Sequence, residues 1–282
     1  MDIRTQAQKA EQFRKMHHGP RMLVLANAWD VVSARILEEC RHPAIATSSA
    51  AVAFSRGYPD GQRISRAEML DVVGRIARAV RVPVTADLEA GYGTTAKDMA
   101  ETTKAAIEAG AIGMNLEDSS DDESSLLDLP LQVEKVRAVR ETAKSLTVPF
   151  VLNARTDVYL ASIGPEATRF DRTVERLRAY RDAGADCLFA PGLYDKETIS
   201  NLVKAVAAPV NILITPQCPS LTELEKMGVA RVSAGSTVMR AALHAVERIG
   251  KEMIESRSTE TLFDSPIPWA DLSRMMSRHL PQ

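Results

Sequence analysis

Eight short apolar runs, separated by longer amphipathic stretches, constrain this chain more than any other feature. They cover residues 22–26, 44–47, 82–87, 112–117, 149–155, 187–190, 209–214 and 230–234. Their apolar character is continuous rather than alternating, which suits strands buried on both faces, as parallel strands are. Eight such strands with helices between them predict an α/β fold, a closed (β/α)₈ barrel, with an open doubly wound sheet as the alternative.

The punctuation between runs is regular. Proline precedes or opens strands at Pro43, Pro83, Pro149 and Pro209, where it halts the preceding helix and biases its neighbour to extended backbone. Capping boxes at Ser65-Arg66-Ala67-Glu68 and Ser220-Leu221-Thr222-Glu223 mark helix starts. Glycines at Gly110, Gly184 and Gly228 mark helix ends. No linker divides the chain, so one domain is expected over residues 1–282, with the barrel at about 20–255 and a C-terminal helical extension at about 256–282. After the eighth run, residues 237–255 read as one long helix and 270–279 as a short last one. A helix appended after closure has no slot in the ring, so it packs across one end or reaches another subunit.

The formal net charge is −2, with basic residues scattered among acidic ones, which points away from nucleic acid or membrane surfaces as partners. No stretch reaches transmembrane length, and Cys40, Cys187 and Cys218 form no CxxC pair. A reduced, cytoplasmic protein is expected.

In such a barrel, chemistry gathers at the C-terminal ends of the strands. The third run ends in Asp87-Leu88-Glu89, the fourth in Glu117-Asp118, and the fifth in Arg155-Thr156-Asp157. Carboxylates sharing one mouth repel each other unless a cation or proton neutralises them. Hard oxygen donors with no imidazole or thiolate nearby favour Mg²⁺ or Mn²⁺. The plainer alternative makes Asp87 or Glu117 a helix cap or a partner of Arg155. Arg155 presents a fork suited to a carboxylate or phosphonate. Gly91-Tyr92-Gly93 reads equally as a ligand contact through Gly91 and Tyr92 or as a tight turn before a helix capped by Thr94 or Thr95. Ser48 and Ser49, after the second run, read as carboxylate donors or as close helix packing. The polar loop at 119–125, with Asp121-Asp122-Glu123 at its centre, could serve as a lid.

These residues resemble the isocitrate lyase/phosphoenolpyruvate mutase superfamily. The resemblance rests on Ala26-Asn27-Ala28-Trp29-Asp30 with Ser33-Ala34-Arg35, on Asp87-Leu88-Glu89-Ala90-Gly91-Tyr92-Gly93, on Leu116-Glu117-Asp118 and on Ala154-Arg155-Thr156-Asp157, and it runs from about residue 20 to 245. It implies a Mg²⁺-binding barrel that makes or breaks a C–C or C–P bond in a 2-oxo acid or its enolate. By position, Asp87 would ligate the metal directly, and Glu89 and Glu117 mostly through water. Ser48 and Ser49 would donate to the substrate carboxylate, Asp60 would act near the substrate and its water, and Arg155 would clamp the oxyanion. A homo-oligomer, a dimer of dimers exchanging C-terminal helices, is implied too.

The chain departs from the cleaving lyases in two places. Their lid reads Lys-Lys-Cys-Gly-His, whereas the loop here lacks Cys, His and Lys, and Phe189-Ala190-Pro191-Gly192 replaces an expected glutamate. The expected function is Mg²⁺-dependent C–C cleavage of a small 2-oxo (di)carboxylate such as oxaloacetate. The alternatives are phosphonopyruvate hydrolase or phosphoenolpyruvate mutase chemistry, or a non-catalytic 2-oxo acid-binding protein. Cys218, in the loop after the seventh run, is a further candidate for the missing lid cysteine.

Overall fold

Parallel strands wound by right-handed crossovers turn the alternation of runs and helices into a barrel. The computed structural model describes residues 2–120 and 125–277. The acidic loop centre Asp121-Asp122-Glu123 and His279 lie outside the described residues.

Nine parallel strands run in the order β1-β9-β8-β7-β6-β5-β4-β3-β2. They are β1 Leu23–Leu25, β2 Asn27–Ala28, β3 Ile45–Thr47, β4 Val84–Asp87, β5 Gly113–Leu116, β6 Val151–Arg155, β7 Cys187–Phe189, β8 Val210–Leu213 and β9 Arg231–Ser233. The ninth strand arises because a second short strand, β2, follows directly after the first run. The first run's β1 pairs with β9, and β2 with β3. Both sheet ends therefore meet in one stretch of chain, and the barrel is nearly closed. Asn27 bridges the seam: its Nδ2 donates to the Thr47 carbonyl at 2.7 Å, and its Oδ1 accepts from the Ala234 and Gly235 amides.

Helices α1 Ile3–Met16, α2 Val31–Glu39, α3 Ser49–Ser55, α4 Arg66–Ala79, α5 Ala96–Glu108, α6 Leu129–Ser145, α7 Glu166–Asp182, α8 Lys196–Val206 and α9 Leu221–Lys226 precede α10 Thr237–Lys251. Both expected capping boxes form, at Ser65 with Glu68 and at Ser220 with Glu223. The single long helix expected over 237–255 is α10 continued by a π-helical turn, Glu252–Ser256. A 3₁₀ turn, Thr261–Phe263, and α11 Trp269–Ser277 follow.

Successive strand residues point to opposite faces. One set, including Met114, Leu116, Leu152, Leu188, Ile212 and Val232, joins the apolar core with helix residues such as Val136, Val139, Leu177 and Ile199. The alternate set is polar: Thr85, Asp87, Asn115, Asn153, Asn211 and Arg231 are all buried. Runs read as apolar on both faces thus carry a polar barrel interior. Some of its side chains bond one another, as where Asn153 donates to Asn115 at 2.8 Å, while Thr85 Oγ1, Asn211 Oδ1 and two Arg231 nitrogens are buried without a hydrogen-bond partner among the described residues.

Helix α1 has no counterpart in the sequence reading, because its few apolar residues are diluted by charge. It seals the N-terminal end of the barrel through Gln6, Ala10 and Phe13. Gln6 Nε2 donates to the Ile107 and Ala111 carbonyls, and the Phe13 ring lies 5.9 Å from the buried Arg231 guanidinium. Emptying this fully buried site should remove packing that nothing else can fill. Phe13→Ala is expected to cost about 3–5 kcal/mol, read from the shift of the urea-unfolding midpoint.

Candidate active site

The acids expected at the strand ends do converge on one end of the barrel. A cavity of about 230 Å³ is lined there by Ser49, Asp60, Glu89, Glu117, Ser119, Arg155, Asp157, Leu160 and Ala161. Asp87 lies just beneath it, joined to its wall. Ser49 donates to Asp87 Oδ2 from both its amide, at 3.0 Å, and its hydroxyl, at 2.8 Å. Asn115 Nδ2 donates to Asp87 Oδ1, and Thr47 Oγ1 accepts from the Asp87 amide. Ser48 does not share this contact; its hydroxyl caps α3 by accepting from the Ala51 amide.

Glu89 is held by two crossing loops. It accepts from the Gln62 amide and from the Tyr92 hydroxyl, and Gln62 Oε1 in turn accepts from the Tyr92 amide. Gln62, Glu89 and Tyr92 all have positive φ, at 57°, 52° and 58°. Such backbone is unfavourable for side-chain-bearing residues and persists where surrounding contacts enforce it. One enforcing contact is Lys135, fully buried on α6, which donates to the Ala90 and Gly93 carbonyls.

Gly91 serves packing: a Cβ there would meet Met99 Cε at 1.8 Å. Tyr92 stands behind Glu89 and lines a neighbouring pocket with Gln62, Arg63 and Arg66. Neither Gly91 nor Tyr92 lines the mouth cavity.

Arg155 is the cation of this cavity. Its Nε and Nη2 grip Asp157 at 2.6 and 2.8 Å, and its Nη1 meets Glu117 at 2.6 Å. The fork expected to face a ligand is therefore closed on the protein's own carboxylate. Its carbon also lies 5.8 Å from the Phe189 ring centroid. Phe189 thus backs the guanidinium at the β7 end. Cys218 is placed elsewhere, its thiol within reach of Thr215 Oγ1 and the Leu213 carbonyl.

Burial raises the Glu117 carboxyl well above the usual range; Arg155 opposes that, while Asp157, Asp87 and Glu89 add to it. Burial also lifts Glu89 to about 7, with the Gln62 amide opposing and Asp87 and Asp60 adding. Among the described residues, no three His, Cys, Asp or Glu side chains close around one point as in a formed metal site. Asp87, Glu89, Glu117 and Asp157 turn instead to protein donors. Their mutual repulsion still marks an excess of negative charge. That excess, on hard oxygen donors, fits a divalent cation.

Other contributors carried weak sequence signals. Gln132 and Lys135 sit three residues apart on the face of α6 that also carries Val136 and Val139. A polar pair on an otherwise apolar helix face was the available clue. Asp157 and Ser119 join the cavity because the chain folds back after β5 and β6, which spacing does not reveal.

The chain is similar to known proteins over most of its length. The family model described as phosphoenolpyruvate phosphomutase matches residues 13–254. A solved structure from Burkholderia cenocepacia J2315, provisionally described as a lyase/mutase, is 39% identical, with a TM-score of 0.90 over 97% of both chains. The 2-methylisocitrate lyase of Bacillus subtilis (strain 168) is 28% identical over 87% of this chain and 81% of its own. An oxaloacetate acetylhydrolase solved with its product oxalate is 26% identical, with a TM-score of 0.84 over 95% of this chain and 93% of that one.

The raised carboxyl of Glu89 has a measurable consequence in protein stripped of divalent cations. A folded-state value near 7 against an ordinary 4.5 means that the fold favours the protonated form. The associated stability is full below about pH 4.5 and is lost as pH rises through 7, by about 3 kcal/mol. Glu89→Gln should flatten this part of the stability profile between pH 5 and 8. Parallel profiles for the two proteins would contradict the assignment.

Proposed function

Because this chain belongs to the phosphoenolpyruvate phosphomutase family, we propose that it is a divalent-metal-dependent enzyme that cleaves a C–C bond of a small 2-oxo (di)carboxylate such as oxaloacetate. The observation that carries this reading is the gathering of Asp60, Glu89, Glu117 and Asp157 around Arg155 in one small mouth cavity. Names among the relatives support the reaction class, through methylisocitrate lyase and oxaloacetate acetylhydrolase.

Asp87, Glu89 and Glu117 are the residues that would hold Mg²⁺ or Mn²⁺. When bound, the cation would supply Lewis-acid stabilisation of negative charge developing on the substrate. The protein's own part begins with Arg155. Asp157 fixes its fork, so the guanidinium is already oriented when charge appears on the 2-oxo oxygen as the C3–C4 bond breaks. The electron pair of that bond forms the C2–C3 enolate, and in the case of oxaloacetate the C4 carboxylate leaves as CO2. Glu117, held by the same guanidinium at 2.6 Å, can quench that charge when protonated by passing its proton to the enolate. Ser49, in the cavity wall, orients Asp87 by donating to its carboxylate. Leu160 and Ala161 form the apolar part of the wall.

Asp87→Ala is expected to lose divalent-cation binding and to lower turnover by about 10³-fold or more. The decisive assay follows products by NMR from oxaloacetate, phosphonopyruvate, methylisocitrate and dimethylmalate with Mg²⁺. Phosphate release from phosphonopyruvate alone would replace C–C cleavage by C–P chemistry. Tight Mg²⁺-dependent binding without product would make this a binding protein. Undiminished turnover in Asp87→Ala would remove the site altogether.

A homo-oligomer completes the proposal. Ile254, Phe263 and Trp269 in the C-terminal extension are 81%, 72% and 82% exposed, an apolar surface suited to a second subunit. A monomer in sedimentation equilibrium at micromolar concentration would contradict it. Among the described residues no helix is long and apolar enough to cross a membrane. The three cysteines are free, and a cytoplasmic location suits them.

A further inference from the structure

Behind the mouth, on the outer side of the barrel, lies a buried cluster that the proposed reaction does not touch. Asp118, the residue after Glu117, is fully buried. One of its oxygens, Oδ2, accepts from Arg176 Nε at 2.7 Å and from the Tyr180 hydroxyl at 2.6 Å, both on α7. The other, Oδ1, accepts from the backbone amide of Asp157 at 3.0 Å. Asp157 is the carboxylate that grips Arg155 with both oxygens.

The cluster also reaches the stretch that leads into α6. Arg176 Nη2 donates to the Leu127 carbonyl at 2.6 Å, and the Leu127 amide donates to the Asp118 carbonyl at 2.8 Å. Ser119, the residue after Asp118, donates from Oγ to Asp157 Oδ2 at 2.5 Å. The carrier of Arg155 is thus tied to Asp118 through its backbone amide and to Ser119 through its carboxylate.

We propose that Arg176 and Tyr180 are positioning residues of the active site. Acting through Asp118, they set where Asp157 holds the Arg155 guanidinium. A buried ion pair that served stability alone would need only the Arg176–Asp118 contact. Here the second oxygen of Asp118 is committed to the Asp157 amide, and the second arm of Arg176 to the Leu127 carbonyl. The chain of contacts from α7 to the Arg155 fork is continuous, and each link lies between 2.6 and 3.0 Å. Small displacements of an oriented charge change binding of an anion steeply.

This inference rests on the proposed role of Arg155 as the site's anion-binding cation. Its test is calorimetric binding of oxalate, a planar dianion, in the presence of Mg²⁺. The proteins compared are wild type, Arg155→Met, Arg176→Met, Tyr180→Phe and Ile199→Val, the last a buried change on α8 away from the cluster. Wild type should bind, and Arg155→Met should lose binding. Tyr180→Phe should bind about tenfold and Arg176→Met about a hundredfold more weakly. Ile199→Val should bind as wild type does despite lowered thermal stability.

If Arg176→Met does not fold, Tyr180→Phe carries the comparison. Wild-type affinity in the α7 variants beside a loss in Arg155→Met would overturn the positioning role and leave the reading of the site intact. Equal weakening in Ile199→Val would overturn it too. If wild type fails to bind, or Arg155→Met binds equally well, the reading of Arg155 fails instead. A crystal structure of Tyr180→Phe then decides the positioning role by itself. A displaced Asp157–Arg155 pair supports it, and an unmoved pair rejects it.

Discussion

Gathering buried carboxylates at a barrel mouth is unfavourable unless positive charge is placed among them, and Arg155 is the cation among the described residues lining the cavity. It sits between Glu117 and Asp157, in contact with both. Taking ions out of water costs several kcal/mol per ion, and close geometry with further hydrogen bonds is what offsets it. One guanidinium does not balance Asp60, Asp87, Glu89, Glu117 and Asp157. The remaining repulsion, added to burial, appears in the raised carboxyls of Glu89 and Glu117. The same imbalance gives a divalent cation a physical reason to bind.

Holding that arrangement is the work of residues outside the mouth. Lys135 pins the carbonyls of the loop after β4, and Gln132 donates to the Glu117 carbonyl. Arg176 and Tyr180 hold Asp118 from α7. Through these ties the outer helices constrain groups whose strand ends alone would leave them loose. Positive φ at Gln62, Glu89 and Tyr92 belongs to the same pattern: local conformations are unfavourable, and the contacts around them are what keep them in place. At the opposite end, α1 closes the barrel with Phe13 packed near Arg231, so that the polar interior is shielded from below.

Much of the fold was legible in the chain. Runs of four to seven apolar residues bounded by proline and glycine located the strands, since buried parallel strands need apolar residues on the face toward the helices. The short strand β2 just after the first run was not legible. Which neighbour a strand pairs with depends on barrel closure, and Asn27 gains its bridging role only when β9 and β3 arrive on either side of it. The polar interior left a fainter trace, with Thr85 and Asp87, or Asn153 and Arg155, two residues apart within otherwise apolar runs.

For the site, the sequence alone determined which residue types end the strands: acids after β4 and β5, and a cation after β6. This follows because strand order places consecutive ends side by side. Tertiary structure decided how those groups are partnered. Arg155 closes its fork on Asp157, Ser48 caps a helix while its neighbour Ser49 reaches Asp87, and Gly91 makes room for Met99. Such choices depend on distances and directions between segments far apart in the chain. Residue identity restricts what a side chain can bond to, but only the assembled barrel brings a particular partner within reach.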